Sequence, residues 1–241
     1  MSGQKVALVT GGSRGLGLEL SRFLGGQSYA VVIDGRDATA LDAAAAEISN
    51  TGATVTAIAG DVSETLHREA LVKAATDLGG LDLLVNNASH LGPSPMPELV
   101  QYQPEDLARV FEVNVVAPLA LVQEAWPLLQ ARAGLIVNIS SDAAIGGYEG
   151  WGGYGASKAA LDLASLTLAN EFRESGISVV SVDPGDMRTQ MHQDAFPGED
   201  ITDRPLPEVT LPFWAWLLNQ DPKSVSGQRF QAQAERWAVA A

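Results

Sequence analysis

The stretch Val6-Ala7-Leu8-Val9-Thr10-Gly11-Gly12-Ser13-Arg14-Gly15-Leu16-Gly17 joins two patterns through a glycine turn. Val6–Thr10 reads as a short buried strand, and Gly15–Leu24 repeats its apolar residues at helical spacing. A helix that starts straight after such a turn leaves its first N–H groups without partners. Those groups, with the helix dipole, attract phosphate. The form here is T-G-x-x-x-G-x-G rather than G-x-G-x-x-G, and alone it is also the form of a tight structural turn. Position favours one reading. The turn follows the first strand of an alternating pattern, which points to a dinucleotide held by Gly11, Ser13, Arg14, Gly15, Leu16 and Gly17.

The alternation continues outward from that turn. Further strands are expected at Tyr29–Asp34, Thr54–Ala59, Leu81–Asn86, Leu135–Ser140, Ile177–Val182 and Arg229–Ala232, seven with the first. Helices are expected over Thr39–Ser49, Glu64–Leu78, Glu105–Gln130 and Tyr154–Glu174. Such strand–helix units build an α/β, Rossmann-type doubly wound parallel sheet with helices on both faces. Pro127 predicts a kink or an early end in the helix over Glu105–Gln130. The stretch from Asp186 to Pro212 is the longest without periodicity and reads as a substrate loop carrying a short helix. No repeat or linker divides the chain, so residues 1–241 read as a single domain.

Composition narrows the chemistry. With 46% hydrophobic and 18% charged residues, and no apolar run near the ~20 residues that cross a bilayer, the sequence reads as a soluble, non-membrane protein. The basic segment and cleavage site of an export signal are not seen before Val6, which makes the cytoplasm the expected location. The absence of cysteine excludes disulfides, thiolate metal sites and cysteine nucleophiles, so redox chemistry needs a cofactor. A net charge of -14 argues against nucleic acid as a partner. His67, His90 and His192 lack metal-ligand spacing, so no metal is expected; of the three, His90 is placed to line a cleft. The stripe from Leu211 to Leu218 reads as a helix packed on the core or as a subunit contact.

Reducing a ketone takes a hydride donor, a proton donor at the oxygen, and a group that polarises that oxygen. Tyr154-Gly155-Ala156-Ser157-Lys158 sets a phenol and an ammonium four residues apart, on one face of a helix, where the cation would favour phenolate. Alone, that pair also fits a surface tyrosine and lysine. Ser140-Ser141 closes the fifth strand, at the carboxyl edge where open α/β sheets hold their ligands.

With these motifs the sequence resembles the short-chain dehydrogenase/reductase family over nearly its whole length. The family's N-N-A-G is met by Asn86-Asn87-Ala88-Ser89, with serine in place of the last glycine; that change is expected to bear only on how closely the loop nears the adenine-side ribose. The resemblance implies Asp61 and Val62 beside adenine, Asn87 and Ala88 in the cofactor site, and Pro184, Gly185 and Thr189 near the nicotinamide. It selects Ser141 over Ser140, thirteen residues before the tyrosine, and Asn114 in the preceding helix. By that similarity Tyr154 donates the proton and Ser141 binds the substrate oxygen. Lys158 depresses the tyrosine pKa and holds the nicotinamide ribose, while Asn114 anchors a water relay to Lys158.

The resemblance also implies NADP(H), with NAD(H) as the alternative. The NAD-selecting acid would fall on Gly35, and the bases Arg36 and Arg14 suit a 2′-phosphate, although Asp34 and Asp37 lie close by. A homotetramer or homodimer built on Glu105–Gln130 and Tyr154–Glu174 is implied as well. The expected partner is a small-molecule carbonyl or alcohol, with Ile145, Trp151, Met187 and Met191 as candidate apolar walls. Two other readings fit the fold: an NAD-dependent alcohol dehydrogenase, and a non-catalytic nucleotide sensor or scaffold.

Overall fold

The computed structural model describes residues 3–239. Seven parallel strands form one sheet in the order β3-β2-β1-β4-β5-β6-β7. They are β1 (Val6–Val9), β2 (Ala30–Gly35), β3 (Val55–Ala59), β4 (Leu83–Asn86), β5 (Leu135–Ile139), β6 (Ser178–Asp183) and β7 (Arg229–Gln231). Each lies within two residues of its expected bounds. Side-chain alternation along the strands divides the core. Ala7, Val9, Val31 and Ile33 face α1 (Gly15–Gly26) and α2 (Ala38–Ser49), whereas Val6, Leu8, Ala30 and Val32 face α3 (Thr65–Asp77). Strand order reverses between β1 and β4, and this opens a crevice at their carboxyl ends.

The expected helix over Glu105–Gln130 is in fact interrupted, and not where Pro127 pointed. It consists of α4 (Pro104–Phe111), a π-helical turn at Glu112–Val116, and α5 (Ala117–Arg132). Pro118, four residues after Asn114, has no N–H for the Asn114 carbonyl, and the regular ladder breaks there. Helix α5 runs on through Pro127, because the carbonyl deprived of its bond belongs to exposed Gln123 and can be hydrated.

After β5 come α6 (Ala143–Gly146) and α7 (Gly152–Glu171). The stretch at 186–212 holds the short α8 (Gln190–Ala195) and a 3₁₀ turn at Pro207–Thr210. The apolar stripe forms α9 (Leu211–Leu217), with Phe213, Trp214 and Leu217 buried in the core. Among the described residues no helix is long and apolar enough to cross a membrane.

Candidate active site

The glycine turn lies at the crevice, tied to β4 from both sides. Thr10 Oγ1 accepts from the amides of Asn87 at 3.0 Å and Ala88 at 2.9 Å, and Asn87 Nδ2 donates to the Thr10 carbonyl at 2.8 Å. A Cβ on Gly17 would stand 2.3 Å from the Gly11 carbonyl oxygen, so only glycine lets α1 begin this close to the turn. The first turn of α1 contains no acidic residue, and no side chain caps it. Thr189, the N-cap of α8, faces it: a Cβ on Gly15 would meet Thr189 Cγ2 at 3.5 Å. Uncapped N–H groups at a dipole's positive end, in a cradle that a Cβ would fill, fit a pyrophosphate.

At the other end of the cleft Asp34 is already engaged. Its Oδ1 accepts from the Gly11 amide at 2.6 Å, and its Oδ2 lies 3.0 Å from His67 Nε2. Asp37 caps α2 through the amides of Thr39 and Ala40. A side chain on Gly35 would press on Ser13, with its Cβ 2.9 Å from Ser13 Oγ. Arg14 and Arg36 are exposed at the rim, and among the described residues neither makes an ion pair. Asp61 accepts from the amide and hydroxyl of Ser63 and from Arg109. Burial raises its pKa, but those hydrogen bonds and the Arg109 charge outweigh burial and hold its carboxyl below the usual range.

Tyr154 and Lys158 share the buried face of α7, as their spacing requires. Lys158 Nζ donates to the Ile139 carbonyl at 2.7 Å and lies 5.5 Å from the centre of the Tyr154 ring. Ser89, Ser141 and Tyr154 line the same cleft, and the two serine hydroxyls favour the ionised form of the phenol. Ser141 Oγ donates to Asp142 at 3.0 Å, whereas Ser140 Oγ donates to Asp162 beneath the helix. Arg229, from β7, clamps this corner: it reaches Asp162 at 3.0 Å, the Ser141 carbonyl at 2.8 Å and Asp183 at 3.3 Å.

The expected depression of the tyrosine pKa is corrected by the structure. Burial pushes Tyr154 up to about 12, only partly countered by the hydroxyls of Ser89 and Ser141. Burial also brings Lys158 down to about 8, against the pull of Asp162. The ammonium points at a carbonyl and not at the phenol oxygen, so desolvation governs both groups. In the structure as it stands the phenol is therefore a neutral acid.

The family model for short-chain dehydrogenases matches residues 5–200. The chain belongs to this family of oxidoreductases. The uncharacterized oxidoreductase YciK of Escherichia coli (strain K12) is 33% identical over 96% of this chain and 93% of its own. A short-chain dehydrogenase of Shigella flexneri 2a, solved in complex with NADP, superposes with a TM-score of 0.88 at 30% identity over 96% of this chain and 98% of its own. One from Escherichia coli CFT073, in complex with NADPH, gives 0.88 at 31% identity, again covering 96% and 98%.

As a short-chain dehydrogenase, this chain brings nearly all its sequence-expected residues to one cleft of about 360 Å³: the glycine turn, Arg36, Asp61, Val62, Asn87, Ala88, Ser141, Tyr154, Lys158, Pro184, Gly185 and Thr189. Asn114 and Gly17 lie just behind its wall. The Asn114 side chain is fully occupied by the His90 backbone, Ser89 and Ser157. Trp151, Met187 and Met191 line the cleft, but Ile145 does not; it is 71% exposed outside it. His90 lines it as expected, and so does His192. Ser89 lines the cleft and donates to Asn114 behind its wall, a wider consequence than the sequence suggested. Arg109, His67 and Arg229 carried no motif, because the partners that tie them to the site, Asp61, Asp34, and Ser141 with Asp183, lie 33 to 88 residues away.

Proposed function

We propose that this short-chain dehydrogenase interconverts a carbonyl and a secondary alcohol with NADP(H), and that Tyr154 is the general acid and base. The observation that carries the reading is a buried neutral phenol, flanked by Ser141, in the same cleft as an uncapped helix N-terminus. When bound, the nicotinamide supplies or accepts the hydride. In the reductive direction Tyr154 gives its hydroxyl proton to the substrate oxygen, and in the oxidative direction it takes that proton back. Ser141 holds the same oxygen by rotating its hydroxyl away from Asp142. Lys158 binds the ribose, and its pKa near 8 suits it to return a proton to the tyrosine near neutrality. The Asn114 carbonyl, which Pro118 cannot serve, is the acceptor for a water leading to Lys158.

NADP(H) is favoured over NAD(H) because no acid is left for a free 2′-hydroxyl. Asp34 and Asp37 are committed to backbone amides, Gly35 has no side chain, and two unpaired arginines stand at the rim. The two short-chain dehydrogenases crystallised with NADP and NADPH agree with that choice. We read the whole chain as one catalytic domain that works in the cytoplasm as a homotetramer or homodimer, with residues 186–212 over a small-molecule substrate. Leu163 and Leu166 on α7, 67% and 46% exposed, suit a subunit contact.

The test is a carbonyl and alcohol panel assayed with both cofactors at the nicotinamide absorbance, beside Tyr154→Phe. Turnover of the variant should fall roughly 10²- to 10⁴-fold with NADPH affinity kept. A variant retaining more than about a tenth of wild-type turnover excludes the role.

A further inference from the structure

His192 takes no part in the acid–base chemistry assigned to Tyr154, Ser141 and Lys158. It lies on α8, is 9% exposed, and lines the cleft with Met187, Met191 and Ala195. A run of aromatic contacts ties it to the proton donor. The Tyr154 ring meets Trp151 with centroids 5.9 Å apart, Trp151 meets Phe196 at 5.9 Å, and Phe196 meets His192 at 4.9 Å. Ala195, one turn after His192, joins Tyr154 and Leu91 in a small apolar cluster. The cap of α8 fixes the backbone here, with Thr189 Oγ1 accepting from the His192 amide at 3.2 Å. His192 is thus a polar group at the far end of an apolar wall that starts at Tyr154.

The two ring nitrogens of His192 have different surroundings. Nδ1 lies 3.8 Å from Asp186 Oδ1, too far for a hydrogen bond yet close enough for the carboxylate to favour the proton on that side. Asp186 is itself 60% exposed and lies 3.6 Å from Arg204 Nε. Nε2, on the other side of the ring, is buried and has no hydrogen-bond partner among the described residues. Leaving a buried polar atom so costs stability, and in native proteins such an atom marks a ligand, a catalytic role or an ordered water. With the proton on Nδ1, Nε2 is an acceptor, and a hydroxyl is the group that satisfies it. We propose that His192 is a substrate-binding residue, and that the substrate carries a hydroxyl, apart from the reacting carbon, that donates to His192 Nε2. The side chains of Trp151, Met187 and Met191 enclose the carbon chain between the two groups. This role rests on the reading of Tyr154 as acid and base.

The test compares ketones that differ only in a terminal hydroxyl or methyl, reduced with NADPH: 4-hydroxybutan-2-one against pentan-2-one, and 6-hydroxyhexan-2-one against heptan-2-one. In the wild type kcat/KM should favour the hydroxy ketone of at least one pair by roughly tenfold or more. In His192→Leu and His192→Phe that ratio should fall by about the same factor. His192→Gln, which keeps an acceptor, should retain part of the preference. Urea unfolding needs no substrate: both apolar variants should unfold at the wild-type midpoint or above it, because they remove an unpaired buried atom. A clear fall of the midpoint in both shows a ring that serves the fold, and overturns the proposal. A wild type indifferent to the hydroxyl or inactive on both pairs overturns it too. So does one that prefers 4-oxopentanoate, whose carboxylate calls for a protonated ring. If Tyr154→Phe is inactive while His192→Leu keeps the hydroxyl preference, only the role of His192 falls. An active Tyr154→Phe removes the reading beneath it.

Discussion

His67 Nε2 sits 3.0 Å from Asp34 Oδ2, in a pair that leaves both side chains under a tenth exposed. The pair fixes more than itself, since the other Asp34 oxygen holds the amide of Gly11 in the glycine turn. Replacing His67 by Leu leaves a buried carboxylate oxygen without a partner. The variant should lose about 2 to 3 kcal/mol in urea unfolding and should raise the KM for NADPH. His67→Gln, which retains a donor, should lose less. A Leu variant as stable as the wild type would show that the contact carries no weight.

Cofactor choice should rest on Arg36. Arg36→Ala should raise the KM for NADPH roughly tenfold or more and leave that for NADH nearly unchanged, since a charged hydrogen bond contributes about 1.5 to 3 kcal/mol. Initial rates with both cofactors check this. A wild type that prefers NADH, or a variant with unaltered NADPH kinetics, sinks the assignment.

Lys158 makes stability depend on pH in a direction fixed by its depressed pKa. Between about 8 and 10.5 the unfolded chain holds the lysine proton and the folded chain does not. Folding is therefore favoured as pH rises through that window, by up to about 1.4 kcal/mol per unit. The contribution is complete above the unfolded pKa and is lost as pH falls through the folded one. Urea unfolding at about pH 7.5 and 9.5 should show the wild type gaining about 1 to 2 kcal/mol on Lys158→Met. A gap between the two proteins that does not change with pH contradicts the shift.

Assembly can be broken on α7. Leu163→Glu combined with Leu166→Glu puts charge on two exposed apolar positions and should give a monomer by sedimentation. A wild type that already sediments as one 25.3 kDa chain rules out the subunit contact.

The fold was legible because strand alternation and helical period are local: each expected strand lies within two residues of the observed one. The break inside Glu105–Gln130 was harder to see. Its sign was Pro118, read against the carbonyl of Asn114, and not the more conspicuous Pro127. The site was legible where motif and position agreed, as for Tyr154, Lys158, Ser141 and the glycine turn. Asp34 looked like a threat to NADP and is instead locked by His67, a partner 33 residues away that no local pattern connects to it. The pKa of Tyr154 ran against expectation because spacing on a helix reveals the neighbour but not the burial, and burial is the larger effect here.

Arg229 also sets an order in time. The ties of the glycine turn to Thr10, Asp34, His67 and Asn87 use residues from the first part of the chain, and a growing polypeptide has all of them early in its synthesis. The clamp on the Ser141 carbonyl waits for β7, the last of the seven described strands in chain order. The ties of the nucleotide half thus come from residues made early, and the clamp on the chemical half is completed only once residue 229 has been added.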